Sequence, residues 1–86
     1  MLMTQLANLY KKLTDNRQLT FAEFERLLRA FGFELDRIRG SHHIYLKRGL
    51  PERINAQPDG KMAKTYQLRR FADMIEAYGL MLEDDR

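Results

Sequence analysis

The period of the hydrophobic pattern changes at Gly32, and this change limits the folds that the chain can adopt. Before Gly32, apolar residues recur at intervals of three and four, which is typical of amphipathic helices. After Gly32, apolar and polar residues alternate, which is typical of strands. A helical pattern returns from Thr65 to Tyr78. Because the apolar face of each helix must be covered by a sheet, the pattern predicts an α+β domain.

Two helices are predicted before Gly32, each from its own apolar stripe. The stripe of the first helix comprises Leu6, Leu9, Tyr10 and Leu13. The stripe of the second comprises Phe24, Leu27, Leu28 and Phe31. Thr20 and Glu23 have the spacing of a capping box, in which each side chain bonds the backbone N–H of the other residue. This capping box predicts that the second helix starts just after Thr20.

Three short strands are predicted next, over residues 33–38, 42–47 and 53–57. Their short connections predict an antiparallel meander, followed by a turn at residues 58–60 and a loop. Thr65 is predicted to cap the last helix and Gly79 to end it. The helices are expected to cover one face of the three-stranded sheet and to leave the other face free for a partner.

The chain of 86 residues is long enough for one core, so we expect a single domain over residues 1–86. Residues 1–16 are interpreted as an N-terminal helical extension and residues 81–86 as a frayed acidic tail.

The absence of cysteine excludes disulfides, thiolate metal sites and a cysteine nucleophile. The sequence has neither an apolar run of membrane-spanning length nor the basic start of a signal peptide, so we expect a cytoplasmic protein with no membrane partner.

Positive charge is concentrated in the middle of the chain. Residues 37–70 hold nine of the 15 lysines and arginines but only two acidic residues. Residues 71–86 hold five acidic residues and one arginine. This distribution is expected of a surface that faces phosphates, and the alternative is a solvated basic face without a partner.

The only two histidines, His42 and His43, are adjacent and lie inside this basic region. Neighbouring strand residues point to opposite faces, and no further histidine or cysteine is present, so the pair makes a poor metal site. No nucleophile elbow supports a serine-hydrolase triad. A neutral imidazole among arginines is suited to taking the proton of a ribose 2′-hydroxyl while the cations hold the phosphate. The alternative is one packed and one solvated histidine.

Several segments of the sequence resemble the HicA family of bacterial toxins over roughly residues 20–80. They are Phe-Gly-Phe at 31–33, Arg-x-x-Gly-Ser-His-His-Ile-Tyr at 37–45, and the segments 51–60 and 64–68. The resemblance implies a double-stranded-RNA-binding-like fold, α-β-β-β-α, to which the first helix is an addition. It also implies a ribosome-independent mRNA interferase that needs no metal or other cofactor. Such a protein is the toxin of a type II toxin–antitoxin module, and a HicB-type antitoxin covers its active site.

The resemblance assigns the catalytic role to His42, with Gly40 shaping the turn. Strand alternation argues differently, because it puts His42 on the face of Ile44 and Leu46, which have the character of core residues, and so exposes His43. A bulge or the edge of the turn would free His42. We therefore predict His42 as the catalytic base and rank His43 close behind.

The third strand carries Asn-Ala-Gln-Pro at 55–58, where many HicA proteins carry Pro-x-His. A second histidine from that strand is therefore absent. The proton donor for the leaving group is left open between His43, Lys47 and water.

The predicted RNA contacts surround the histidines in the sequence. They are Arg37, Arg39, Gly40, Ser41, Tyr45, Lys47, Arg48, Lys61 and Lys64. Tyr45 is expected to stack on an unpaired base, and the cations are expected to contact phosphates, with sheet packing and solubility as the alternatives. Two other functions compete with a nuclease toxin: a non-catalytic RNA-binding module, and a protein-interaction domain with an acidic partner.

Overall fold

Three helices and a three-stranded antiparallel sheet share one hydrophobic core in the computed structural model, which describes residues 2–83. The helices are α1 (Leu2–Thr14), α2 (Phe21–Ala30) and α3 (Thr65–Tyr78). The strands are β1 (Glu34–Arg39), β2 (His42–Leu46), β3 (Ile54–Ala56), β4 (Pro58–Asp59) and β5 (Met62–Ala63). The sheet order is β1-β2-β3, and β4 and β5 form a separate hairpin. The predicted α+β fold is confirmed, and no helix within the described residues is long and apolar enough to cross a membrane.

The start of α2 is fixed by the predicted capping box. The Thr20 hydroxyl accepts a hydrogen bond from the Glu23 N–H at 3.1 Å, and the Glu23 carboxylate accepts one from the Thr20 N–H at 2.9 Å. The next N–H, of Phe21, donates to the Lys61 carbonyl at 2.8 Å, and Thr20 forms a β-bridge with Met62. The first turn of α2 is therefore tied to the β4–β5 hairpin.

Two local predictions around that hairpin are wrong. Residues 58–63 form a hairpin with a turn at Gly60, whereas the sequence predicted a turn followed by a loop. Strands of two residues are too short to produce a readable alternation. Thr65 does not cap α3, because Lys64 occupies the cap position without a side-chain hydrogen bond and Thr65 is already helical.

The end of α3 agrees with the prediction, and the tail differs from it. Gly79 adopts the left-handed conformation with a φ of 63°, and Leu80 packs against the core. Leu82 also contacts the core, and the Glu83 N–H donates to the Ala30 carbonyl at 2.7 Å. The chain is therefore anchored through residue 83, and the rest of the predicted frayed tail, residues 84–86, lies outside the described residues.

A β-bulge in β1 determines which side chains of that strand face the helices. Leu35 pairs with Tyr45, but the next pair is Arg37 with Ile44, so Asp36 is the extra residue. Because side chains alternate across a strand, this insertion reverses the facing of every later residue of β1. Arg37 therefore shares a face with Ile44, on the side opposite Leu35 and Tyr45.

The capping box provides a test of the helix start. We expect Thr20→Ala to lower the free energy of unfolding by about 1 kcal/mol, because one orphan N–H of α2 loses its acceptor. Thr65→Ala, the matched control at the start of α3, removes no cap bond and is expected to change stability by less than about 0.5 kcal/mol. Urea denaturation of the two variants measures both values, and equal losses would contradict the assignment.

Candidate nucleic-acid interface and histidine site

Tyr45 is buried on the helix side of the sheet and so fixes the direction in which β2 faces. Its hydroxyl donates a hydrogen bond of 2.6 Å to the carboxylate of Glu25 in α2. The guanidinium carbon of Arg29 lies 5.7 Å from the centroid of its ring. The prediction that Tyr45 stacks on an RNA base is wrong, because its ring has no exposed surface to offer.

The residues that alternate with Tyr45 belong to the open face of the sheet. Leu46 is 41 % exposed, and Ile44 is buried but lies outside the hydrophobic core cluster. The expectation that Ile44 and Leu46 have core character therefore holds for the burial of Ile44 and is wrong for Leu46, and their face is not the helix side. His42 shares their face, so the argument that strand alternation hides His42 does not apply.

The bulge at Asp36 brings both arginines of β1 to the face of His42. Arg39 pairs with His42 across the two strands, and Arg37 pairs with Ile44. Without the bulge, Arg37 would pair with His43 on the helix side. Arg37 is held at 3.0 Å by the carboxylate of Asp36, with both side chains largely exposed.

The turn between β1 and β2 presents His42 at the end of the sheet. Gly40 and Ser41 form a two-residue connection between Arg39 and His42, and Gly40 has a φ of +61°, as required at the first position of a type II′ turn. The Ser41 hydroxyl accepts a hydrogen bond of 3.1 Å from the side-chain amide of Gln57. The turn is thus anchored to the chain just after β3.

The imidazole of His42 has one partner in the described structure, the side chain of Asn55 in β3. Its Nδ1 lies 3.1 Å from Asn55 Oδ1 and 2.9 Å from Asn55 Nδ2. Asn55 pairs with Ile44 and therefore lies on the same face. The second nitrogen of the ring, Nε2, has no hydrogen-bond partner within residues 2–83. That nitrogen is the one available to a bound molecule.

His43 occupies a different environment on the helix side. Its ring meets the ring of Phe21 edge-on, with 4.9 Å between centroids. Its Nδ1 lies 3.1 Å from the Ser41 carbonyl oxygen, and because a carbonyl only accepts, Nδ1 carries the proton. The two imidazoles therefore face opposite sides of the sheet, and the structure does not bring them together at one reacting group.

Lys47 does not join the site at His42. Its ammonium group forms an ion pair of 2.7 Å with the carboxylate of Glu83, and its side chain is only 20 % exposed. In this structure a carboxylate binds the cation, and the contact of Lys47 with phosphate stays a prediction. Lys47 also lies beyond the far end of β2 from His42, five residues away, a separation of roughly 16 Å along an extended chain.

The remaining predicted cations are distributed over other parts of the surface. Arg48 follows Lys47 in an exposed turn, at the far end of β2 from the histidines. Lys61 lies in the β4–β5 turn, next to Phe21 and thus on the His43 side. Lys64 caps α3. Of the predicted RNA contacts, only Arg37, Arg39, Gly40 and Ser41 gather around His42.

Asn55 and Gln57 are site residues that the sequence analysis did not select. Their spacing of two was the available signal, because it puts both amides on one face of the predicted third strand. The Gln57 N–H also donates to the side-chain oxygen of the buried Gln67 in α3, at 2.8 Å. This bond ties the end of β3 to the helical layer. Within residues 2–83, no group of three or more histidines or acidic residues is arranged to hold a metal ion.

Burial of Tyr45 predicts a loss of stability at alkaline pH. Desolvation and the bond to Glu25 raise the pKa of Tyr45 above its usual value of 10.0. Above that pH the unfolded chain loses a proton that the folded protein keeps, so stability is full below about pH 10 and declines as the pH rises further. We expect this decline to be much smaller in Tyr45→Phe, which also loses about 1.5 kcal/mol at neutral pH with the hydrogen bond to a charged group.

Thermal unfolding between neutral pH and about pH 11 tests this expectation. Tyr66→Phe, at an exposed tyrosine, is the matched control and is expected to follow the wild type. Equal alkaline losses in wild type and Tyr45→Phe would contradict the role given to the buried hydroxyl.

Comparison with known proteins gave one finding. The family model described as HicA toxin of bacterial toxin-antitoxin matches residues 21–80 of the chain. The match begins at the first residue of α2 and ends just after α3, so it includes the sheet, the turn and both histidines, and it excludes α1. No match was found among the curated proteins or among the solved structures.

Proposed function

Because the chain belongs to the HicA family of bacterial toxins, it is the toxin of a toxin–antitoxin module, and we propose that it is a ribosome-independent endoribonuclease that cleaves mRNA without a metal ion. The observation that carries this proposal is the position of His42. Its imidazole lies on the open face of the sheet, opposite Arg39, with Nε2 free of protein partners in the described structure. A basic, open face suits a polymeric phosphodiester better than a small substrate.

In the proposed reaction His42 is the general base. Its neutral Nε2 takes the proton of a ribose 2′-hydroxyl, and the resulting oxygen attacks the adjacent phosphorus. The bond between phosphorus and the 5′-oxygen then breaks, leaving a 2′,3′-cyclic phosphate and a 5′-hydroxyl. Water is the proton donor to the leaving oxygen in this scheme, because His43 faces the helix side and Lys47 is paired with Glu83.

Arg39 and Arg37 are the proposed phosphate-binding residues. Arg39 forms no ion pair within residues 2–83, so its guanidinium is available for a bidentate contact with phosphate oxygens. Arg37 can exchange its exposed contact with Asp36 for a phosphate, because an exposed ion pair of this kind contributes little free energy. Gly40 and Ser41 keep the turn between Arg39 and His42 short, so the base and the cation remain on neighbouring strands.

The antitoxin partner that the family implies is proposed to be a HicB-type protein that covers the open face of the sheet. Its contact with Arg37 and Arg39 is expected to use acidic side chains, since these replace the phosphates of RNA. Antitoxin and RNA would then compete for one surface of this protein.

Cleavage of RNA by variants of the two histidines tests the catalytic assignment. We expect His42→Ala to reduce the cleavage rate by roughly 10²–10⁴-fold, the usual contribution of a general base. His43→Ala, the matched control on the helix side, is expected to retain most activity, with folding checked by circular dichroism. An RNA with a 2′-deoxy sugar at the scissile position is expected to resist cleavage. Wild-type rates for His42→Ala, or equal cleavage of the deoxy substrate, would refute the mechanism.

The salt dependence of RNA affinity tests the proposed interface separately from catalysis. In a His42→Ala background, which prevents cleavage, we expect Arg39→Gln to reduce the slope of log affinity against log salt by about 0.7, the value of one phosphate contact on a single strand. Lys47→Gln is the matched control and is expected to leave the slope unchanged. An affinity that does not depend on salt would instead favour a protein-interaction domain.

A further inference from the structure

The side chain of Asn55 is the one hydrogen-bond partner of the His42 imidazole in the described structure, and the bond is made at Nδ1. Asn55 stands between Ile54 and Ala56, which are both buried in the core. The backbone of Asn55 is therefore held firmly, while its amide reaches over the open face. Gln57, two residues further along, also reaches the turn with its side-chain amide, which donates a hydrogen bond to the Ser41 hydroxyl.

We propose that Asn55 is a positioning residue, which holds the His42 ring with its proton on Nδ1 and leaves Nε2 unprotonated. In this arrangement the Asn55 side-chain oxygen accepts a hydrogen bond from Nδ1. The inference deepens the proposed function and rests on it, because it explains how the exposed nitrogen of His42 is kept ready to accept a proton.

The two amide atoms of Asn55 have opposite consequences for the ring. If Asn55 Nδ2 donated to Nδ1, a neutral imidazole would carry its proton on Nε2, and the exposed nitrogen would be unable to act as a base. If Asn55 Oδ1 accepts from Nδ1, Nε2 keeps its lone pair. The second arrangement also survives the reaction, since Nδ1 still carries a proton after Nε2 has gained one.

The neutral tautomer of each histidine can be measured directly in the free protein. Two-bond ¹H–¹⁵N correlation spectra of the ¹⁵N-labelled protein at mildly alkaline pH distinguish a proton on Nδ1 from a proton on Nε2. We expect the Nδ1–H form for His42 in the wild type and in Asn55→Asp, which keeps an acceptor. In Asn55→Ala we expect the Nε2–H form to predominate, as it does in free histidine.

His43 is the internal control for these spectra. Its Nδ1 donates to the Ser41 carbonyl, so its Nδ1–H form is expected in all three proteins. An Nε2–H form of His42 in the wild type would overturn the inference, and so would an unchanged tautomer in Asn55→Ala. Asn55→Thr provides a second variant without the amide if alanine weakens the short strand, because threonine favours strands.

Cleavage kinetics supply the second readout. We expect Asn55→Ala to lower kcat about 10-fold with little change in KM, a part of the roughly 100-fold or more that a general base contributes. Asn55→Asp is expected to retain most of the maximal kcat. Its pH–rate profile is expected to shift to higher pH, because a carboxylate stabilises the imidazolium form of His42. A purely structural role for Asn55 would not move the pH profile, and wild-type kinetics of Asn55→Ala would overturn the inference.

The two proposals fail in distinguishable ways. Unchanged cleavage by His42→Ala would refute the catalytic role of His42, and the tautomer spectra would still decide whether Asn55 orders the ring. Loss of cleavage in His42→Ala together with an Asn55-independent tautomer would support the nuclease and refute the positioning role.

Discussion

The hydrogen bond between Tyr45 and Glu25 is the interaction on which the orientation of the sheet depends. A buried phenol is costly unless its hydroxyl has a partner, and Glu25 in α2 provides one at 2.6 Å. Once Tyr45 faces the helices, alternation along β2 leaves no choice for the neighbouring residues. His43 must follow Tyr45 to the helix side, and His42 must lie on the open side. One contact between a strand and a helix thus assigns different environments to two identical neighbours.

The bulge at Asp36 completes this separation of the two faces. A regular β1 would carry its arginines to the side of Tyr45, whereas the extra residue moves them to the side of His42. The insertion leaves Asp36 itself next to Arg37, as a weak and exposed ion pair. The imidazole of His42, the two arginines and the amide of Asn55 therefore lie on one face of the sheet, opposite the face that packs on the helices.

Features with a local cause were predictable from the sequence, and features with a distant cause were not. The capping box of Thr20 and Glu23 and the helix stop at Gly79 depend on residues within a few positions, so the sequence pattern located them. The facing of β2 depends on a partner of Tyr45 that lies 20 residues away, and the pairing of Lys47 on a partner 36 residues away. Neither partner leaves a periodic signal. The contact between Asn55 and His42 was predictable only in part. Strand alternation puts the Asn55 side chain on the correct face, but it does not identify His42 as the partner.

The open form of this site also bears on how a partner can silence it. His42, the proposed base, lies on the open sheet face, and strand pairing alone brings it together with Arg39 and Asn55. A partner has only to occupy the face, and a standard interface of about 800 Å² per protein is a small part of the 5752 Å² that the chain exposes. Occlusion therefore requires no rearrangement of the toxin, since the same arginines that would attract phosphate also attract an acidic partner. If His42 is the base proposed above, this open site needs no activating change, and its control depends on the concentration and affinity of the protein that covers it.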